Sequence, residues 1–296
     1  VSHTIVKGTM SRVAPERDRY PDPVRRSPDL PHARLDRSRF ELVVNERFVG
    51  AALDPARWLP VYLPHWSTPD RSAARYRLTD TGLQLRVDHD QPAWSPEYDG
   101  ELRVSNLQTG SFSGPVGSDR GQHRFRDGLV VRTAVPERRL WQPRYGLVEA
   151  RIRPSLHPRA LTALWLIGHE AEPEQSGELC VVELFGGEID ELGATSIGVG
   201  VHPFGDARLR DEFARVPIAG DARGFRTYSL EWMPGAARWY VDDVLVAEVD
   251  QSPDYPLQLM LNLYDLPLEG TTREAAGYPM TASVAWVREW HPRDGA

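Results

Sequence analysis

One cysteine and one lysine in 296 residues show what this chain does without. The lone Cys180 forbids an internal disulfide, so stability must come from packing and the redox compartment is left open. Lys7 is the only lysine among 35 basic residues, a skew that reads as compositional bias and not as arginine-specific recognition. No apolar run approaches the roughly 18 residues of a membrane span, so a soluble protein without a membrane partner is expected. Positive charge is in deficit too: 35 basic residues against 42 acidic ones give −7, which disfavours nucleic acid as a partner and suits a neutral ligand such as a sugar. No segment has the charged start, apolar centre and small-residue end of a secretory signal. The reading is a cytoplasmic protein with foreign residues 1–9 ahead of a native start at Met10; secretion stays open if an export signal is hidden at the start. His169-Glu170 lacks the second histidine of a zinc helix, no Cys/His cluster exists, and Gly186-Gly187 is no phosphate loop. No metal and no catalytic cofactor are expected, and a structural calcium cannot be read from these residues.

What is present is 24 Gly, 25 Pro and a large aromatic set of 9 Trp, 10 Tyr and 8 Phe, a composition of short elements, many turns and flat side chains available for stacking. Residues 1–39 carry nine basic and five acidic residues with five prolines, a loop-like basic arm; its +4 leaves the remainder at −11. From Phe40 the pattern turns to strands separated by turn residues: Phe40 to Val44, Tyr76 to Leu78, Leu83 to Val87, Leu129 to Val131, Gly146 to Arg153, Leu161 to Ile167, Leu179 to Leu184 and Ile197 to Val201. It continues through Arg226 to Trp232, Arg238 to Val241, Val244 to Val249, Leu257 to Leu263 and Ser283 to Trp290. Thirteen short strands with no helical period between them predict an all-β domain over 40–296, a sandwich of two antiparallel sheets. Asp242-Asp243 between alternating strands predicts a tight hairpin, because both residues tolerate positive φ.

Gly177-Glu178-Leu179-Cys180-Val181-Val182-Glu183-Leu184 carries the strongest chemical signal. In a regular strand Glu178 and Glu183 face opposite ways. A β-bulge at Val181-Val182 adds one residue and brings Glu178, Cys180 and Glu183 onto one face, with Leu179 in the core. Two carboxyls about 5–5.5 Å apart perform retaining glycoside chemistry, one attacking the anomeric carbon while the other protonates the leaving oxygen. The same spacing also fits two solvated acids on an edge strand.

Glu178-Leu179-Cys180-Val181-Val182-Glu183 resembles the bulged Glu-x-Asp-x-x-Glu signature of glycoside hydrolase family 16, the laminarinase-like β-glucanases and their relatives. Further blocks agree in order: Arg144 to Ile152, Thr162 to Ile167, Val199 to His202, Phe225 to Trp232, the Trp239-Tyr240-Val241 hairpin, Leu259 to Leu263 and Val284 to Trp290. The resemblance implies a concanavalin A-like β-jelly roll whose open cleft takes a β-linked polysaccharide or oligosaccharide, in an endo-acting, retaining hydrolase or transglycosidase. It implies Glu178 as nucleophile, Glu183 as acid/base, and His202 and Asn262 in the cleft. Cys180 stands where the family has Asp, and a thiol is a weak donor that shares no proton as a carboxyl does. Leu161 replaces a Trp, and no Trp lies in 170–176, so ordinary laminarin specificity is not assured. Trp141, Tyr145 and Trp165 are the remaining candidate sugar platforms, and Arg151 is a candidate brace for a carboxylate. A monomer is expected. The second hypothesis is a sugar-binding protein on the same fold that has lost turnover, motivated by Cys180 and the missing Trp residues.

Overall fold

The computed structural model describes residues 24–26, 33–273 and 277–293. Its strands run in chain order as β1 (Arg25–Arg26), β2 (Phe40–Glu46), β3 (Arg75–Thr79), β4 (Gly82–Val87), β5 (Arg103–Gln108), β6 (Gly110–Ser111), β7 (Arg138–Arg139), β8 (Gly146–Arg153) and β9 (Ala160–Gly168). They continue as β10 (Glu178–Phe185), β11 (Thr195–His202), β12 (Glu212–Ile218), β13 (Arg226–Met233), β14 (Ala236–Val241), β15 (Val244–Val249), β16 (Leu257–Asp265) and β17 (Met280–Pro292). One sheet has the order β1-β15-β14-β13-β8-β17-β4-β3, with β2 also on β17; the facing sheet has the order β12-β11-β10-β9-β16-β5. The pairings within both sheets are antiparallel, so the expected two-sheet sandwich is the fold. Among the described residues no helix is long and apolar enough to cross a membrane.

The main core lies between the sheets. Leu257, Leu259, Leu261 and Leu263 of β16 and Leu164 and Leu166 of β9 meet Val148, Ala150, Ile152, Leu230 and Trp232 from the larger sheet. Strand alternation then predicts a solvated outer face on the six-stranded sheet, yet every residue of β9 and β16 is buried. A second apolar cluster covers that face: Tyr62, Leu63, Trp66, Trp94, Phe125 and Leu129 pack on Ala163, Trp165, Met260 and Tyr264. Leu129 to Val131 is therefore not the strand its apolar pattern suggested, but a loop whose Leu129 and Val131 side chains join this cluster while Val130 is exposed.

The hairpin forms as expected, with Asp242 at φ 47° and Asp243 at φ 71°. Five strands escaped the sequence reading: β5, β12 and the two-residue β1, β6 and β7. Of the basic arm, residues 1–23 and 27–32 lie outside the described residues. The described part binds acids of the body: Arg37 bonds the buried Glu149 and also Asp243, and Arg39 reaches Glu231 at 3.0 Å.

Candidate active site

The bulge in β10 falls where the alternation argument requires it. Against β9 the register slips between Cys180 and Val182, and against β11 between Cys180 and Glu183. Glu178 then lies beside His202 and Ile167, Cys180 beside Gly200 and Trp165, and Glu183 beside Gly198 and Ala163. Leu179, Val181, Val182 and Leu184 turn into the main core. Both glutamates and the cysteine consequently share the outer face of a central strand, which disposes of the solvated edge-strand alternative. Gly198 makes room for one of them: a Cβ there would lie 2.8 Å from Glu183 Oε2 and 2.6 Å from the Phe213 ring.

The two carboxyls do not stand at the floor of an open cleft, as the resemblance implied. Glu178 is 0% and Glu183 1% exposed, and none of their four oxygens has a hydrogen-bond partner. The roof is His123, whose Nδ1 lies 4.0 Å from Glu178 Oε2. Its ring sits 5.0 Å from Trp165 and 4.8 Å from Phe204. The physical reason for the closure is the second apolar cluster, which carries the 121–131 segment down onto the sheet.

Such burial disfavours charge. Desolvation pushes Glu178 well above its ordinary range, and the neighbouring Glu183 charge pushes it further. Desolvation also raises Glu183, to about 8, with the Arg215 guanidinium partly offsetting the rise. Cys180 is likewise pushed up by burial and by both glutamates, so its thiol is protonated; its sulfur donates weakly to the Gly198 carbonyl at 3.7 Å and not to Glu178. Burial lowers His123 to about 3, leaving a neutral imidazole whose two ring nitrogens have no hydrogen-bond partner.

The other expected site residues divide. His202 is present: its ring stacks on Phe213 at 4.9 Å, Nδ1 bonds Asp211 at 2.9 Å, and Nε2 is buried without a partner. Trp165 is beside the carboxyls but fully buried, its indole N–H donated to the Asn262 side-chain oxygen. Asn262 in turn donates to Asn106 at 2.7 Å, so it fixes Trp165 and has no free face for sugar. Three expectations need correction. Trp141 is packed in the main core, edge-on to Trp58 at 5.5 Å, and its N–H is taken by Glu289. Tyr145 packs at the rim of that core against Trp232, 5.5 Å away. Arg151 lies on β8 of the opposite sheet; Val148, Ala150 and Ile152 face inward there, so Arg151 faces outward, near Phe225. None of these three reaches the carboxyls, because each belongs to an element on the far side of the main core or at its rim.

Sequence reasoning missed His123, Phe204, Phe213 and the buried pair Tyr62 and Tyr264, whose hydroxyls lie 3.3 Å apart. Glycines at 198 and 200, in alternation with His202, were a legible sign of a crowded face on β11. His123 gave no local sign.

The sequence profile described as Glycosyl hydrolases family 16 matches residues 140–287. A β-glucanase of Paenibacillus macerans is 27% identical over 123 residues, a match spanning 41% of this chain and 48%, about half, of that relative. A GlcNAcα1-4Gal-releasing endo-β-galactosidase from Clostridium perfringens superposes with TM-score 0.74 at 25% identity, covering 90% of this chain and 67% of that one. The catalytic domain of an endo-1,3-β-glucanase (laminarinase) from Thermotoga petrophila has the same fold, with TM-score 0.61 at 16% identity over 86% of this chain and 99% of that one.

Proposed function

Because this chain belongs to glycosyl hydrolases family 16, we propose that it is a retaining glycosidase or transglycosidase of a β-linked polysaccharide, with Glu178 as nucleophile and Glu183 as acid/base. The observation that carries this reading is the bulged strand, which turns both carboxyls to one face and leaves four buried oxygens without a protein partner. Unpartnered buried carboxyls are costly to keep, and sugar hydroxyls are suitable partners for them.

Glu178 attacks the anomeric carbon while Glu183 gives its proton to the departing glycosidic oxygen, forming a glycosyl ester on Glu178. Glu183 then takes a proton from water or from an acceptor hydroxyl, whose oxygen displaces Glu178. A value of about 8 keeps Glu183 protonated at neutral pH, as the first step needs. Glu178 must ionise, and in the closed site burial opposes this. Water or sugar hydroxyls donating to its oxygens restore the charged form. Cys180 leaves that task to the substrate, since its thiol points to Gly198.

The β-glucanase and endo-β-galactosidase relatives make β-glucans and β-galactosides the first substrates to offer. Proton NMR of products from a panel of both, with Glu178→Gln as control, tests the reading. Products that retain configuration and vanish in the variant are expected. Glycan binding by both forms without cleavage would favour the second reading, a sugar-binding protein, for which the missing platform Trp residues and Cys180 speak.

A further inference from the structure

We propose that His123 is the residue that decides which glycans reach Glu178 and Glu183, acting as a side-chain gate between the carboxyl pair and an outer vestibule. The inference rests on the glycosidase reading for its biological meaning, and on packing alone for the gate. The vestibule is an open depression of about 460 Å³, lined among others by Arg120, Arg124, Glu170, Ser176 and Phe204. Phe204 and Glu170 also touch His123: the Phe204 ring meets the imidazole edge-on at 4.8 Å, and a Glu170 carboxyl oxygen accepts the His123 backbone N–H. One layer of side chains thus separates the depression from Glu178.

The backbone around the gate is pinned. The Gln122 carbonyl accepts from the Trp66 indole at 2.8 Å and lies 2.9 Å from His65 Nε2, and its side chain donates to Gln258 at 2.7 Å and accepts from the Phe112 N–H at 2.9 Å. The next residue, His123, is held at φ 54° by the Glu170 bond. Against this frame the imidazole is held by ring contacts and by its 4.0 Å approach to Glu178, and neither ring nitrogen has a hydrogen-bond partner. Turning the ring toward the vestibule breaks no hydrogen bond and uncovers Glu178, whereas moving the backbone breaks several. The mobile part is therefore one side chain, and the opening it makes is narrow. Short or end-presented glycans pass it more readily than the middle of a long polymer.

Site-resolved mass spectrometry after treatment with a water-soluble carbodiimide and a small amine reads the accessibility of Glu178 and Glu183 without any sugar. His123→Ala is expected to label both carboxyls about tenfold faster than wild type, and His123→Phe, which restores an aromatic ring, at close to the wild-type rate. Equal labelling of wild type and His123→Ala, or equally fast labelling of the Ala and Phe forms, overturns the gate. Phe204→Ala, opening the same layer from its other side, carries the test if His123→Ala does not fold. In parallel, kcat/KM for a long β-glucan relative to a short oligosaccharide should rise in His123→Ala. A labelling difference with no turnover in any form leaves the gate standing and removes the glycosidase reading; turnover with equal labelling does the reverse.

Discussion

Trp239, on the larger sheet, donates its indole N–H across the sandwich to the backbone carbonyl of Cys180 at 2.8 Å. That carbonyl stands where the register of β10 slips, so a side chain from the opposite sheet holds the bulge that aligns Glu178 with Glu183. Trp239→Phe keeps the ring and removes the donor. A buried carbonyl left without a partner costs roughly 1–3 kcal/mol, and a misplacement near 1 Å at a reacting group costs up to about 10²-fold in rate. The expected result is a lower melting temperature together with a fall in kcat at nearly unchanged KM.

Much of this arrangement was legible because the sequence set two rules against each other. Strict alternation would have sent Glu183 into the core and Val182 outward, and only a bulge at Val181-Val182 avoids both. Gly198, Gly200 and His202 alternate with Ile197, Val199 and Val201, which are buried in the main core, so the facing strand was readable as well. The missed elements fail for identifiable reasons. β12 contains Pro217, normally a strand breaker, but β12 is the edge of its sheet, where a missing N–H is tolerated. β5 reads Arg103-Val-Ser-Asn-Leu-Gln and lacks alternation because it is buried throughout. His123 is placed by long-range packing of a loop, and no local pattern encodes that.

Glu183→Gln tests the acid/base assignment and the cost of the site together. Activity on a glycan with a poor leaving group should fall by roughly 10²–10⁴-fold, the usual contribution of general acid catalysis. Stability should move the other way at pH 8, because a buried carboxyl raised only to about 8 is there partly charged and favours the unfolded chain, whereas an amide stays neutral in both states. Differential scanning calorimetry should show a gain of a few degrees.

The pH dependence of stability follows from the same burial. Glu183 and Glu170 are each raised to about 8, from an ordinary 4.5 that applies when the chain is unfolded. Between those values the folded protein holds protons that the unfolded chain has released, so folding stability contributed by these groups is full below about 4.5 and is lost as pH rises to about 8. The melting temperature is therefore expected to decline across that window, and the decline should be shallower in Glu183→Gln. A melting temperature that rises from pH 5 to pH 8 with no difference between the two forms would contradict the burial of these carboxyls.

Cys180→Asp addresses how Glu178 acquires its charge. The thiol spends its weak donor on the Gly198 carbonyl, and both Glu178 oxygens remain without a donor. An Asp at this position enters a dry site between two glutamates, so it is held protonated. A protonated Asp can turn its O–H toward Glu178, a charge-assisted bond about twice as strong as a neutral one, and favours the ionised nucleophile. Turnover should increase, with the acidic limb of the kcat/KM profile moved to lower pH, while a further buried polar group in the core lowers the melting temperature. Unchanged turnover with an unmoved acidic limb would mean that sugar hydroxyls alone bring Glu178 to its ionised form, and that the site is tuned around sulfur.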